Sequence, residues 1–220
     1  MNKESRVNLN LYLNLLVKRR SHKKMTVTYT NRRKDVYYLH HGKTKTGKTR
    51  YHFSKNEAGN LVKSLPKGYE IYEHPKNAQV FLRKKQPQMI TKKEQHLIDK
   101  HLKNHKTSNS YIFDIKSETI TIYESNQNKD AIISLFEDMI PIKKMNSSEA
   151  FDFFHKFATY DPVMRFILID KKQRIFHAER FCFRSSIDDW IRIGEPALLE
   201  KLLSTYVKHL GEESLFDIYF

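Results

Sequence analysis

Residues 35–54 read DVYYLHHGKTKTGKTRYHFS, and the reading of this stretch decides what kind of fold the chain builds. Gly42-Lys43-Thr44-Lys45-Thr46-Gly47-Lys48-Thr49 matches the phosphate-binding pattern G-x-x-x-x-G-K-[ST] position by position. In a nucleotide-binding loop, Lys48 would reach the β and γ phosphates and Thr49 a magnesium ion. Such a loop runs directly into a helix, whose amino end faces the phosphates. Here Thr49 is followed by Arg50-Tyr51-His52-Phe53-Ser54, which alternates as a strand does. The strand before a phosphate loop is buried on both faces and nearly all apolar, whereas Tyr37-Tyr38-Leu39-His40-His41 is half polar. The context therefore argues for a β-hairpin, Asp35–His41 and Thr49–Ser54, joined by a long basic loop, Gly42–Lys48. Phe166–Asp170 resembles the acid-ended strand that accompanies a phosphate loop. Asp170, however, runs into Lys171-Lys172-Gln173-Arg174, which reads as a hairpin turn.

Outward from the hairpin, Ser54 with Glu57 fits a capping box opening a short helix to about Leu65, ended by Pro66-Lys67-Gly68. Tyr69–Glu73 and Gln79–Arg83 read as two further strands. Residues 34–88 thus form a basic ββαββ module, preceded by a basic extension over 1–33. Thr91 with Glu94 caps a linking helix, Lys92–Asn104, within 89–108. Residues 109–220 read as a mixed module. It has a hairpin Tyr111–Ile115 and Thr119–Glu124, helices Asp130–Met139 and Ser148–Ala158, and strands Arg165–Asp170 and Ile175–Phe183. A short strand Trp190–Ile193 follows, then a last helix opening at Pro196 and stopped by Gly211. The fold class is α+β. Val7, Leu9, Leu11, Leu13 and Leu15 alternate with polar residues, as a strand or an extension ahead of Met25.

Charge divides the chain. Residues 1–110 hold 26 Lys+Arg against 7 Asp+Glu, and residues 111–220 hold 14 against 18. A half this basic repels itself unless an anionic partner answers it, and nucleic acid is the partner this points to. The basic residues cluster as Arg19, Arg20, Lys23, Lys24; as Arg32, Arg33, Lys34; as Lys43, Lys45, Lys48, Arg50; and as Arg83, Lys84, Lys85, with Tyr37 and Tyr51 interleaved. Lys and Arg neutralise phosphates and aromatic rings stack on bases or line a groove. A two-stranded ribbon suits a major groove and a sheet face suits single strands, and the sequence does not choose between them. The reading is a nucleic-acid-binding accessory subunit, DNA or RNA, with a protein partner held through the less basic half.

Two other functions fit parts of the sequence. His40 or His41, with Asn56 or Asn60 on the following helix, would give a ββα metal-dependent nuclease. An adaptor would use the basic half to dock on an acidic protein. His101 and His105 have zinc-ligand spacing but lack the glutamate of a metalloprotease helix. The single cysteine, Cys182 between Phe181 and Phe183, excludes an intrachain disulfide and reads as a small hydrophobe in a reducing cytosol. No catalytic set, cofactor or metal is implied, and no apolar run reaches the length of a membrane span.

Residues 37–85, carrying Lys67-Gly68-Tyr69-Glu70-Ile71-Tyr72-Glu73 and Gln79-Val80-Phe81-Leu82-Arg83, resemble the start of a family of uncharacterised bacterial proteins. Glu179–Trp190 and His209–Phe216 resemble the end of the same family. The resemblance implies a bacterial, cytosolic protein and carries no activity with it.

Overall fold

The structure, a computed structural model, describes residues 26–126, 156, 158–184 and 187–218. Strands outnumber helices among them, in a mixed α and β arrangement of three antiparallel sheets. β1 (Thr28–Thr30), β2 (Val36–Lys43) and β3 (Thr49–Ser54) form one sheet in that order. β4 (Tyr69–Glu73) and β5 (Val80–Lys84) form a separate hairpin. After α1 (Lys92–Lys103), strands β6 (Tyr111–Lys116), β7 (Thr119–Ser125), β8 (Tyr160–Asp170), β9 (Ile175–Arg184) and β10 (Ile187–Leu198) form a five-stranded meander. α2 (Leu199–Tyr206) closes the main core.

Alternation sets the faces of the meander. Ile120 and Ile122 on β7 pair with Phe166 and Met164 on β8, and these in turn with Ala178 and Arg180 on β9. All of those apolar residues are buried. Ile98 and Leu102 of α1, and Leu199, Leu202, Leu203 and Tyr206 of α2, join the same core. Each fully buried aliphatic side chain contributes about 1.5–3 kcal/mol relative to exposure, so this layer is the main stabilising unit. α1 begins where its capping box dictates. The Thr91 hydroxyl accepts from Glu94 N, and Glu94 Oε2 accepts from Thr91 N at 2.8 Å.

The β4–β5 hairpin lies between the small sheet and the meander. On one side Tyr29 donates to Glu73 at 3.1 Å, Asn31 donates to the Ala78 carbonyl at 2.9 Å, and the Tyr51 and Tyr69 rings meet at 6.4 Å. On the other side the Tyr72 hydroxyl donates to Asp114 at 3.1 Å, and Lys76 pairs with Asp161 at 2.7 Å. Burial raises the Asp114 carboxyl above the ordinary range; the Tyr72 hydroxyl and the Arg83 charge offset only part of this.

Several expectations are corrected. The helix placed over residues 54–65 does not form, so the module is not ββαββ. Its polar residues bind neighbouring backbone instead: Ser54 Oγ accepts from Asn56 N, and Asn56 Oδ1 from Ala58 N. Glu57, expected in a capping box, accepts from Tyr38. The segment then edges onto β2, where His41 N donates to Asn60 O and Val62 N to Leu39 O. Thr28–Thr30, expected within an extension, is a strand because it completes β2 on that same edge. The last helix opens at Leu199 rather than Pro196, which lies in β10 beyond the register shift after Ile193. The short strand Trp190–Ile193 is the middle of that longer one. The helices expected over Asp130–Met139 and Ser148–Ala158, and the alternation at Val7–Leu15, lie essentially outside the described residues. Cys182 is half-buried. Across the β8–β9 pair, Glu179 faces Arg165.

Candidate nucleic-acid interface

The β2–β3 ribbon pairs His41 with Tyr51, Gly42 with Arg50 and Lys43 with Thr49 before it turns. The connection is tighter than the long loop expected from sequence. Gly47 N donates to Thr44 O, and Thr44 N to Lys48 O. Gly47 holds φ +79, the left-handed position that a three-residue hairpin turn assigns to glycine. The Thr44 hydroxyl also accepts from Lys48 N at 3.2 Å. The amides of Thr44, Gly47 and Lys48, which a nucleotide loop would aim at phosphate, are therefore spent inside the turn, and Thr49 begins a strand. Residues 43–50 are all exposed. A methyl group at Gly42 or Gly47 would meet nothing within 4 Å, so the ribbon stands clear of the body.

Four predicted basic residues extend from this ribbon: Lys43, Lys45, Lys48 and Arg50. Lys84 and Lys85 join them from the open end of the β4–β5 hairpin, which reaches the ribbon through the contact of Tyr69 with Tyr51. Lys85 N donates to Gly68 O, which brings the neighbouring Lys67 to the same shoulder. Lys67 and Tyr69 were not among the sequence candidates. The β4–β5 register could have found them, since Tyr69 faces Lys84 across the hairpin. Lys43, Lys45, Lys48, Arg50, Lys67, Lys84 and Lys85 make no ion pair with any described residue.

Other predicted contacts sit elsewhere and do other work. Arg32 lies at the far end of β2, its side chain 16% exposed. It donates to Glu73 Oε1 at 2.8 Å, to the His74 carbonyl at 3.1 Å and to the Pro75 carbonyl, and lies 5.1 Å from the Tyr160 ring centre. Burial lowers its pKa, and the Glu73 charge opposes that. Arg33 donates to the Ala158 carbonyl at 2.8 Å. Arg83 pairs with Glu70 at 2.7 Å and lies 3.8 Å from the Tyr72 ring centre. Arg32 and Arg33 join separate parts of the fold, whereas Arg83 ties β5 to β4 within one hairpin. Lys34 follows Arg32 and Arg33 at the far end, with φ +64 in the turn before β2, and has a partner of its own. Tyr37 is half-buried, with Lys55 over its ring at 5.7 Å. Arg19, Arg20, Lys23 and Lys24 lie outside the described residues.

The histidines of the nuclease reading are not gathered around an open site. His40 is 7% exposed, stacks on His52 at 5.3 Å and sets Nε2 against the Asn56 carbonyl at 2.9 Å. Gly59 packs over its ring, and a Cβ there would lie 3.6 Å from Nδ1. His41 points to the other face of the sheet and is exposed. Asn56 and Asn60 lie on an irregular segment, so the ββα frame which that reading requires is not built. His105 leaves α1 and sets its ring edge-on to Tyr111 at 5.1 Å, away from the zinc-ligand arrangement. Among the described residues no group of three or more His, Cys, Asp or Glu converges as metal ligands do. No described helix is long and apolar enough to cross a membrane.

No protein-family model, curated protein or solved structure matches this chain.

Proposed function

We propose that this chain binds nucleic acid through the basic end formed by the β2–β3 ribbon and the β4–β5 shoulder. The observation that carries the reading is a division among the basic residues. Arg32, Arg83, Lys55 and Lys76 are matched by carboxylates within the fold. Lys43, Lys45, Lys48, Arg50, Lys67, Lys84 and Lys85 converge on one end, with no carboxylate among the described residues answering them. Unmatched like charges held together repel one another, and a polyphosphate relieves that repulsion while releasing counterions. On the resemblance noted above, the protein is placed in the bacterial cytosol as part of the same proposal.

The test is binding of the full chain to a fluorescent oligonucleotide as salt is varied. Affinity is expected to fall steeply with salt, and to be lost when Lys43, Lys45, Lys48 and Arg50 are changed together to Ala. Undiminished binding by that variant would overturn the assignment to this end. A purified chain that carries no nucleic acid but holds an acidic protein partner would support the adaptor reading instead.

A further inference from the structure

We infer that the polyanion is duplex DNA, entered at its major groove by the β2–β3 ribbon; this rests on the basic-end reading above. The choice is between a single strand laid on a sheet face and a duplex entered by the ribbon. A single strand needs exposed aromatic rings on which successive bases stack. The small sheet offers no such run: its exposed rings, His41 and His52, lie singly on opposite faces. On one face Leu39 is fully buried, Tyr51 packs on Tyr69, and Tyr29 is tied to Glu73 of the covering hairpin. On the other face His40 is buried beneath Gly59 and the 55–61 segment. Most of each face is covered by the protein itself, which leaves no row of neighbouring open rings for successive bases.

What stays open is the ribbon beyond the Tyr51–Tyr69 contact. Two residue pairs and the turn project from there, which at about 3.4 Å per residue is on the order of 10 Å. The major groove of B-form DNA is about 12 Å wide and about 8.5 Å deep and admits a two-stranded ribbon. The exposed tip carries Lys43, Thr44, Lys45, Thr46, Lys48 and Arg50. Lys and Arg donate to guanine O6 and N7, and threonine suits either an acceptor or the thymine methyl. Set back from the tip, Lys67, Lys84 and Lys85 are placed for the flanking phosphates. An RNA duplex presents a deep, narrow major groove that this ribbon does not fit.

The experiment compares four probes at one salt concentration, using the full chain. They are a DNA duplex, one of its single strands, the RNA duplex of the same sequence, and the DNA duplex with glucosylated hydroxymethylcytosines filling the major groove. The DNA duplex is expected to bind at least about tenfold tighter than each of the others, the scale of one good base-edge contact. Equal or tighter binding of the single strand, the RNA duplex or the filled duplex would overturn the inference. If the ribbon variant still lost affinity in that case, the basic-end reading would survive without it. If the ribbon variant bound as well as the natural chain, or no probe bound at all, the basic-end reading would fall too.

Discussion

Arg32→Ala separates a structural arginine from a phosphate contact. Arg32 and Glu73 are 16% and 14% exposed, so the pair is largely removed from water. Breaking such a pair by deleting one partner costs about 3–5 kcal/mol when fully buried. Two features reduce the cost here. Residual exposure screens the charge, and Glu73 keeps donors from the Tyr29 hydroxyl at 3.1 Å and the residue-32 backbone amide at 3.2 Å. One feature adds to it, because the His74 and Pro75 carbonyls lose their guanidinium donor and the Tyr160 ring its cation. The expected loss is about 3 kcal/mol. With a urea slope of about 2–3 kcal/mol per molar, the unfolding midpoint should fall by roughly 1–1.5 M. Arg32→Lys should recover little of this, since an ammonium cannot serve the carboxylate and two carbonyls at once. The matched control is Lys48→Ala, expected to change stability by under about 0.5 kcal/mol while reducing the salt slope of DNA binding by about 1. The reasoning fails if Arg32→Ala leaves the urea midpoint within about 0.2 M of the natural chain and instead lowers the salt slope as Lys48→Ala does.

Three further outcomes follow from the packing. Burial pushes the Glu94 carboxyl up, but the Arg174 guanidinium and the Thr91 donors outweigh it and hold the group below its ordinary value. Its folded pKa lies under its unfolded one, so its stabilisation is present above the unfolded pKa and is lost as pH falls through the folded one. Glu94→Gln should therefore be less stable at neutral pH and lose less on acidification, read by urea titrations at several pH values; an unchanged pH dependence would contradict this. Gly194 holds φ +58, and a Cβ there would fall 1.8 Å from the Tyr206 hydroxyl. Gly194→Ala should cost about 2–4 kcal/mol, falling to roughly 1 kcal/mol in a Tyr206→Phe background; thermal melts showing equal costs in both backgrounds would rule out the clash. Arg180 is 5% exposed, with only the Phe216 carbonyl at 3.3 Å to accept from it among the described residues, and Nε has no hydrogen-bond partner. Arg180→Met should be neutral or raise stability by about 1–3 kcal/mol, and a melting temperature lowered by several degrees would contradict that.

Much of the strand architecture is legible in the sequence because period-two alternation survives wherever one face is buried. The β6–β7 hairpin reads directly, as do β4, β5 and most of β8 and β9. α1 is legible through Thr91 and Glu94, whose capping chemistry is local. The failures share a cause, which is that a distant partner outbids a local signal. Ser54 and Glu57 carry the capping pattern, yet the backbone of 60–62 is claimed by β2. Pro196 suits a helix start, but β9 holds it in a strand until Leu198. The candidate interface follows the same logic. The ribbon lysines are legible because their surroundings hold almost no acid. Arg32 and Arg83 look the same in sequence, and only the fold brings Glu73 and Glu70 to them. Lys67 was missed because its neighbours at the basic end come from across a hairpin rather than along the chain.

The most direct test is the salt dependence of duplex binding by the natural chain and by the variant with Lys43, Lys45, Lys48 and Arg50 changed to Ala. If each unmatched basic side chain at this end neutralises one phosphate, the logarithmic slope for the natural chain is about −6. The variant should show a slope of about −3 and much weaker binding at any one salt concentration. Equal slopes and equal affinities would contradict the claim that this end holds nucleic acid.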